Sequence, residues 1–231
     1  MVVSLTIVRY PKRNIPLALL AMAVHRVLIR KQQDCTFYKL LGSGKNGSFD
    51  INPDWQQWGL LATWKNTEAA DQFFADSTIA GWWKRYCAEQ WTVLLNPLQS
   101  HGKWDGAEPF GSPGLSIKGP VAVLTRATIR PNRLKNFWKH VNQSAQLMKR
   151  SKGFIMSLGV GEAPFFRQAT FSVWNDIESV KAFAYGSKEH AEVIRKTRAE
   201  KWYSEELFAR FKPLRSWGTI KGIDPLKDQI I

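Results

Sequence analysis

Apolar residues along the chain change their period in a fixed order, and the order occurs twice. Residues 2–8 are rich in β-branched side chains and read as a strand. Leu17, Leu20, Ala21, Val24 and Leu28 then recur at helical spacing behind Pro16, whose missing N–H costs nothing at a helix start. A strand over 36–41 leads to Gly42-Ser43-Gly44, and a second strand over 58–64 ends on Trp64. Asn66-Thr67-Glu68 offers a helix N-cap, and a last strand covers 91–95. The series restarts at 121–129. It continues with Pro131, the stripe Leu134, Trp138, Val141 and Ala145, and a strand over 154–158 leading to Gly159-Val160-Gly161. A strand over 168–174, a cap at Asn175-Asp176 and a final strand over 207–211 complete it. Each half reads β-α-β-β-α-β, the split βαβ or ferredoxin-like unit.

The landmarks keep consistent spacings. Arg126 follows Arg9, and Leu158 follows Leu41, by 117 residues; Trp174 follows Trp64 by 110; Pro213 follows Pro97 by 116. The drop of seven places a longer loop in the first copy, over 45–55. The pattern predicts an α+β fold of tandem ferredoxin-like repeats forming a single-chain dimeric α/β barrel. Residues 1–105 are the first repeat, 106–118 a Gly- and Pro-rich linker, and 119–231 the second repeat. A ferredoxin-like sheet leaves one apolar face bare, so the two sheets are expected to cover each other. A cavity is expected between them, on strands that carry Trp58, Trp64, Phe171 and Trp174, some of which must face the helices by strand alternation.

Composition narrows the function. Of 231 residues, 44% are hydrophobic and 23% charged, as in a globular protein, and eleven are tryptophan. The net charge of +14 favours anionic surfaces, but its cations are spread without a run of like charge, which argues against nucleic acid. Cys35 and Cys87 lack zinc or redox spacing and read as buried thiols of a reducing cytoplasm. The apolar run over 17–24 is too short to span a bilayer and reads as a helix, not a leader. The Gly-x-Gly pairs lack the third glycine and the following helix of a dinucleotide loop. Serine-hydrolase, zinc-protease and P-loop motifs are missing too.

Several segments together resemble the spheroidene monooxygenase family. In the second half these are Leu124-Thr125-Arg126-Ala127-Thr128-Ile129-Arg130-Pro131, Gly159-Val160-Gly161-Glu162-Ala163-Pro164, Arg167-Gln168-Ala169-Thr170-Phe171-Ser172-Val173-Trp174, Phe183-Ala184-Tyr185, His190, Arg198-Ala199-Glu200-Lys201-Trp202-Tyr203 and Glu205-Glu206-Leu207-Phe208-Ala209-Arg210-Phe211. In the first half Phe37-Tyr38-Lys39-Leu40-Leu41-Gly42-Ser43-Gly44 and Glu89-Gln90-Trp91-Thr92-Val93 fit as well. The resemblance implies a haem-containing monooxygenase of the dimeric α+β barrel superfamily. Such an enzyme inserts oxygen at C-2 of acyclic carotenoids, two rounds giving a ketone. Electrons would come from a separate donor, because no flavin or nicotinamide motif is present.

Within that reading, His190 is the first choice for the axial iron ligand, on its place in the chain and not by transfer from the family; His140 and His25 follow. Arg195, Arg198, Trp174 and Phe171 are expected beside the haem. Arg9 and Arg126, taken as repeat partners, are expected either to reach a propionate or bound oxygen or to point outward as surface cations. The protein is expected in the cytoplasm with a peripheral contact at the inner face of the membrane, for which Trp82-Trp83-Lys84-Arg85 is the candidate patch. The competing readings are a haem-dependent dehydratase, lyase or peroxidase-like enzyme on a smaller molecule, and a haem or lipid carrier without turnover.

Overall fold

Strands β1 (Val2–Arg9), β2 (Cys35–Gly44), β3 (Pro53–Trp64) and β4 (Glu89–Gly102) build the first half, with helices α1 (Ile15–Arg30), α2 (Thr67–Asp76) and α3 (Thr78–Tyr86). Strands β5 (Val121–Ile129), β6 (Phe154–Ala163), β7 (Arg167–Trp174) and β8 (Tyr203–Gly218) build the second, with α4 (Leu134–Arg150) and α5 (Ile177–Gly186). The computed structural model describes residues 1–45, 52–114, 118–163, 165–186, 195–197 and 199–230; the side chains of Asn142 and Gln143 lie outside the description. Helices α2 and α5 begin where the sequence places caps: the Asn66 side chain accepts from Ala69 N at 2.9 Å, and Asp176 from Ser179 N at 2.7 Å.

All eight strands close into one antiparallel barrel in the order β1-β3-β2-β6-β7-β5-β8-β4. The halves join along a long β4–β8 ladder, from Trp91 opposite Gly218 to Gly102 opposite Leu207, and along a short β2–β6 contact at Gly42 and Ser43. Both last strands run well beyond the stretches expected from sequence. They pass through Pro97 and Pro213 because the ladder shifts register around these residues, where a proline need not donate.

Inward positions alternate along every strand and form one core across both halves. Val3, Leu5 and Ile7 meet Trp91 and Val93, Leu124, Phe171 and Phe211. An eight-stranded barrel is just wide enough for side chains to fill, and these residues fill it. The chamber expected between the sheets is therefore replaced by a packed core. Trp58, Trp64 and Trp174 face the helices instead, while Phe171 faces inward.

Each barrel end is stopped by the same device, repeated at a spacing of 116. After β4, Gly102 (φ 84°) turns the chain so that Trp104 bridges Ala107, with Asp105 and Gly106 left-handed between them; Trp104 and Phe110 then enter the core. After β8, Gly218 (φ 79°) sets up the bridge between Ile220 and Ile223, with Lys221 and Gly222 left-handed, and Ile220 and Leu226 enter. A carboxylate from the opposite half holds each turn. Glu205 accepts from Asp105 N and Gly106 N, and Glu89 accepts from Gly222 N. Phe110, in the segment read as linker, is thus a core residue.

Arg126 lies in the first of these ends, its side chain 1% exposed, stacked over Trp104 and 2.9 Å from Glu205, 3.3 Å from Glu162 and 3.4 Å from Asp105. Lys39 also pairs with Asp105 and Glu162, and Arg167 with Asp105. Partial burial opposes ionisation of Asp105, but Lys39, Arg167 and Arg126 hold its carboxyl below the ordinary range. Arg9 makes a simpler pair with Asp54 at 2.9 Å, at a half-open position. We expect Arg126→Met to lower stability by about 3 kcal/mol, because it strands clustered carboxylates, and Arg9→Met to cost under about 1 kcal/mol. Urea denaturation of both variants tests this, and equal costs would contradict it.

In the first half the helix layer is tight. Ala18, Ala21, His25 and Ile29 of α1 are buried. His25 stands edge-on to Trp82 and Trp83, and its Nε2 has no hydrogen-bond partner among the described residues. Burial pushes its imidazole down from 6.5 to about 4. The unfolded chain therefore takes up this proton first as acid is added. The stability contributed by the neutral ring is complete above about pH 6.5 and drains as the pH falls toward 4. Melting temperatures of the parent should fall over that window, and His25→Leu should flatten the fall; parallel curves would refute the assignment.

Candidate functional site

The ladders fix which residues of the two halves correspond. Val2 stands opposite Trp64 as Val121 stands opposite Trp174, so the first strands align at a spacing of 119. The second strands do likewise, with Gly42 opposite Trp58 and Gly161 opposite Gln168. Arg9 thus corresponds to Thr128 and Arg126 to Ile7, so the expected arginine pairing is corrected by two residues. A slip of two keeps every side chain on its face, which is why the hydrophobic pattern did not reveal it.

With this register the outer, helix-facing sides of the two halves compare position by position. In the first half one cluster runs unbroken from Val2, Val8 and Tyr10 through Leu60, Ala62 and Trp64 to the helices. Among the described residues of the second half the corresponding surface carries two separate clusters. One cluster holds Val121, Val123, Trp174 and Val180; another holds Ile129, Phe137 and Trp202. Smaller side chains occupy the strip between them. Ala127 stands where the first half has Val8, Ser157 where it has Tyr38, Gly159 where it has Leu40, and Thr170 where it has Leu60. Thr6 is buried and hydrogen-bonded to Thr92, whereas its counterpart Thr125, in the middle of β5, is exposed.

Among the described residues the result is a gap over the sheet of the second half, where Thr125 is exposed. Its floor carries the Thr125, Thr170 and Ser157 hydroxyls among small apolar groups. Its flanks carry Phe208 with the Trp174 cluster, and Leu134, Trp138 and Val141 of α4 with the Phe137–Trp202 cluster. Trp138 Nε1 is buried and has no hydrogen-bond partner among the described residues. In the sealed first half, the space around His25, lined also by Tyr10, Met22, Leu40 and Trp83, amounts to about 10 Å³, room for about one water.

The expected site residues fall in different places. Trp174 lies on the gap's side of the sheet, stacked on Phe183 at 5.2 Å between ring centroids; Phe171 lies inside the barrel. Arg126 points inward while its neighbours Thr125 and Ala127 point outward, so its guanidinium is on the face away from the gap; Arg9 likewise lies on the inward side of β1. Arg195 is exposed. His190 and Arg198 lie outside the described residues. His140 is half-buried on α4, with Nδ1 2.8 Å from the Asn136 carbonyl and its ring against Trp202. His101 is exposed and stacks on Phe208. Trp83 is buried against His25 and Phe73, so the Trp82-Trp83 patch packs beneath the helices. Both cysteines are free, and burial raises their thiols to about 11 and about 12, which makes them poor nucleophiles.

Sequence reading missed Ala127, Ser157, Gly159 and Thr170. The available signal was a loss of bulk at four outward positions of the second copy, visible only in the correct repeat register.

A domain of unknown function, DUF3291, matches residues 120–210. A solved aldoxime dehydratase in complex with butyraldoxime shares the fold, with a TM-score of 0.58 at 10% identity over 92% of this chain and 79% of that one. The spheroidene monooxygenase of Cereibacter sphaeroides is 40% identical over 84% of this chain, which spans 60% of that protein's length. That of Rhodobacter capsulatus is 33% identical over 100% of this chain and 97% of its own. By descent, then, the chain belongs to the spheroidene monooxygenase family.

Proposed function

We propose that the protein is a haem-dependent monooxygenase that hydroxylates, and in a second round ketolates, a spheroidene-like acyclic carotenoid at C-2. The observation that carries the reading is the gap: among the described residues, one of two duplicated helix–sheet interfaces carries less bulk while its twin is sealed. A haem is flat, largely apolar and carries two carboxylates. The second half fits it with a floor of small groups and apolar flanks. The first half does not fit it, because the space beside His25 admits about one water.

When bound, haem iron would supply the activation of dioxygen, with electrons from a separate donor. The chain's own residues bind, orient and exclude water. Trp138, Val141 and Phe208 offer apolar walls to a polyene, and Thr125 and Thr170 place hydroxyl groups where a polar head or a propionate can meet them. Donation by His140 Nδ1 to the Asn136 carbonyl would leave its Nε2 as the lone-pair nitrogen. His190, which in the sequence follows α5 as α3 follows α2, remains the proposed iron ligand. Arg126 is proposed as a positioning residue that anchors β5 beneath the gap. The protein would work in the cytoplasm at the membrane face, where its substrate dissolves.

An absorption spectrum of the purified protein tests the cofactor: a Soret band is expected, and a colourless protein that gains none on adding haem overturns the reading. Oxygen-dependent conversion of spheroidene with a reductant distinguishes this enzyme from a carrier, which would bind without turnover, and from a dehydratase, which would need no oxygen. His190→Ala should remove the imidazole signature of the iron; an unchanged spectrum would move the ligand to His140.

Restoring the first half's leucine by Thr170→Leu should lower turnover by about 100-fold, since the gap then misplaces its occupant. The melting temperature should hold or rise, because the change adds apolar burial. Full activity in this variant would remove the gap from the site.

A further inference from the structure

We propose that the outward face of α1 docks on an anionic lipid surface. Helix α1 is apolar on both sides. Ala18, Ala21 and Ile29 face the sheet, while Leu19, Leu20 and Val27 on the opposite side are 46%, 50% and 55% exposed, with exposed Pro16 and Ala23 in the same stripe. Cations bracket the stripe: Lys12 and Arg13 at one end, Arg26, Arg30 and Lys31 at the other. The first acidic residue of the chain is Asp34.

The duplication supplies an internal control. Helix α4 occupies the same place in the same fold, and at the positions of Pro16, Leu20 and Val27 it carries Lys135, Lys139 and Gln146, all exposed. The fold therefore does not require an apolar outer face on this helix; α1 has one for another purpose. A 16-residue helix with an outward apolar stripe between cationic ends matches an interfacial helix lying along a bilayer. A second copy of the chain is a poorer occupant, because it would bring the same cations against these. The proposal gives a location to the peripheral membrane contact put forward above and rests on that reading for its biological use. It also replaces the Trp82-Trp83 patch, which packs under the helices.

The test is flotation of the purified full-length protein with carotenoid-free vesicles, of phosphatidylcholine alone or mixed with phosphatidylglycerol. Binding to the anionic vesicles is expected. It should weaken about tenfold in the double variant L20K/V27Q, which installs the α4 residues at exposed positions and should leave melting unchanged. It should weaken about fivefold for each cation removed in R26Q/K31Q. Parent-like binding by L20K/V27Q overturns the proposal. So does a parent that sediments as a dimer and becomes a monomer in that variant, which would assign the stripe to a second copy. The vesicles carry no substrate, so loss of carotenoid turnover would leave this result readable, and the reverse.

Discussion

Closure of the barrel is the constraint from which the rest follows. Eight strands in one ring leave no free sheet edge, and a ring of that size has an interior that side chains fill. Trp91, Phe171, Phe211 and the inserted Trp104 and Phe110 occupy it from wall to wall. Both ends are stopped by the duplicated turn, whose left-handed residues are held by a carboxylate of the other half. An occupant of any size must therefore be received outside the barrel, between sheet and helices.

Duplication then allows the two outsides to diverge. In the first half, Leu40, Leu60, Tyr38 and Trp64 seal the helix layer against the sheet. In the second, Gly159, Thr170 and Ser157 stand at three of those positions and fill less space. The outward helix faces diverge in the opposite sense: α1 is apolar outside and α4 polar. Among the described residues, one half has a sealed interface and an apolar exterior on α1; the other has smaller side chains at its interface and a polar exterior on α4. On the proposed function, two tasks, holding a lipid-soluble substrate and meeting the surface that contains it, would thereby be separated onto two copies of one unit.

Much of this was legible in the sequence. The repeat, the element order, the caps at Asn66 and Asp176 and the barrel class follow from periodicity and turn chemistry, since each is a local signal that the fold does not override. Three things were not legible. The register between copies is ambiguous by two residues, because alternation has period two, and that ambiguity hid the four small residues of the gap. The fill of the barrel depends on diameter and on plugs arriving from distant chain segments, neither of which a strand pattern contains. The prolines at 97 and 213 read as strand ends because their tolerance depends on the partner strand's register shift.

On the proposed haem-dependent reading, space more than chemistry would select the ligand among the histidines. His25 has what an iron ligand needs electronically: burial keeps its ring neutral, and Nε2 is unpartnered among the described residues. Yet Trp82 and Trp83 stand edge-on to it, and the free volume beside it suits one water. Its half of the molecule has no room for a macrocycle unless α1 leaves the sheet, which would break the core that Ala18, Ala21 and Ile29 share with β1 and β3. The second half differs, with Thr125 exposed on its helix-facing side and a half-buried imidazole on α4. A neutral imidazole without space is a core residue, so on that reading the ligand would come from the second half.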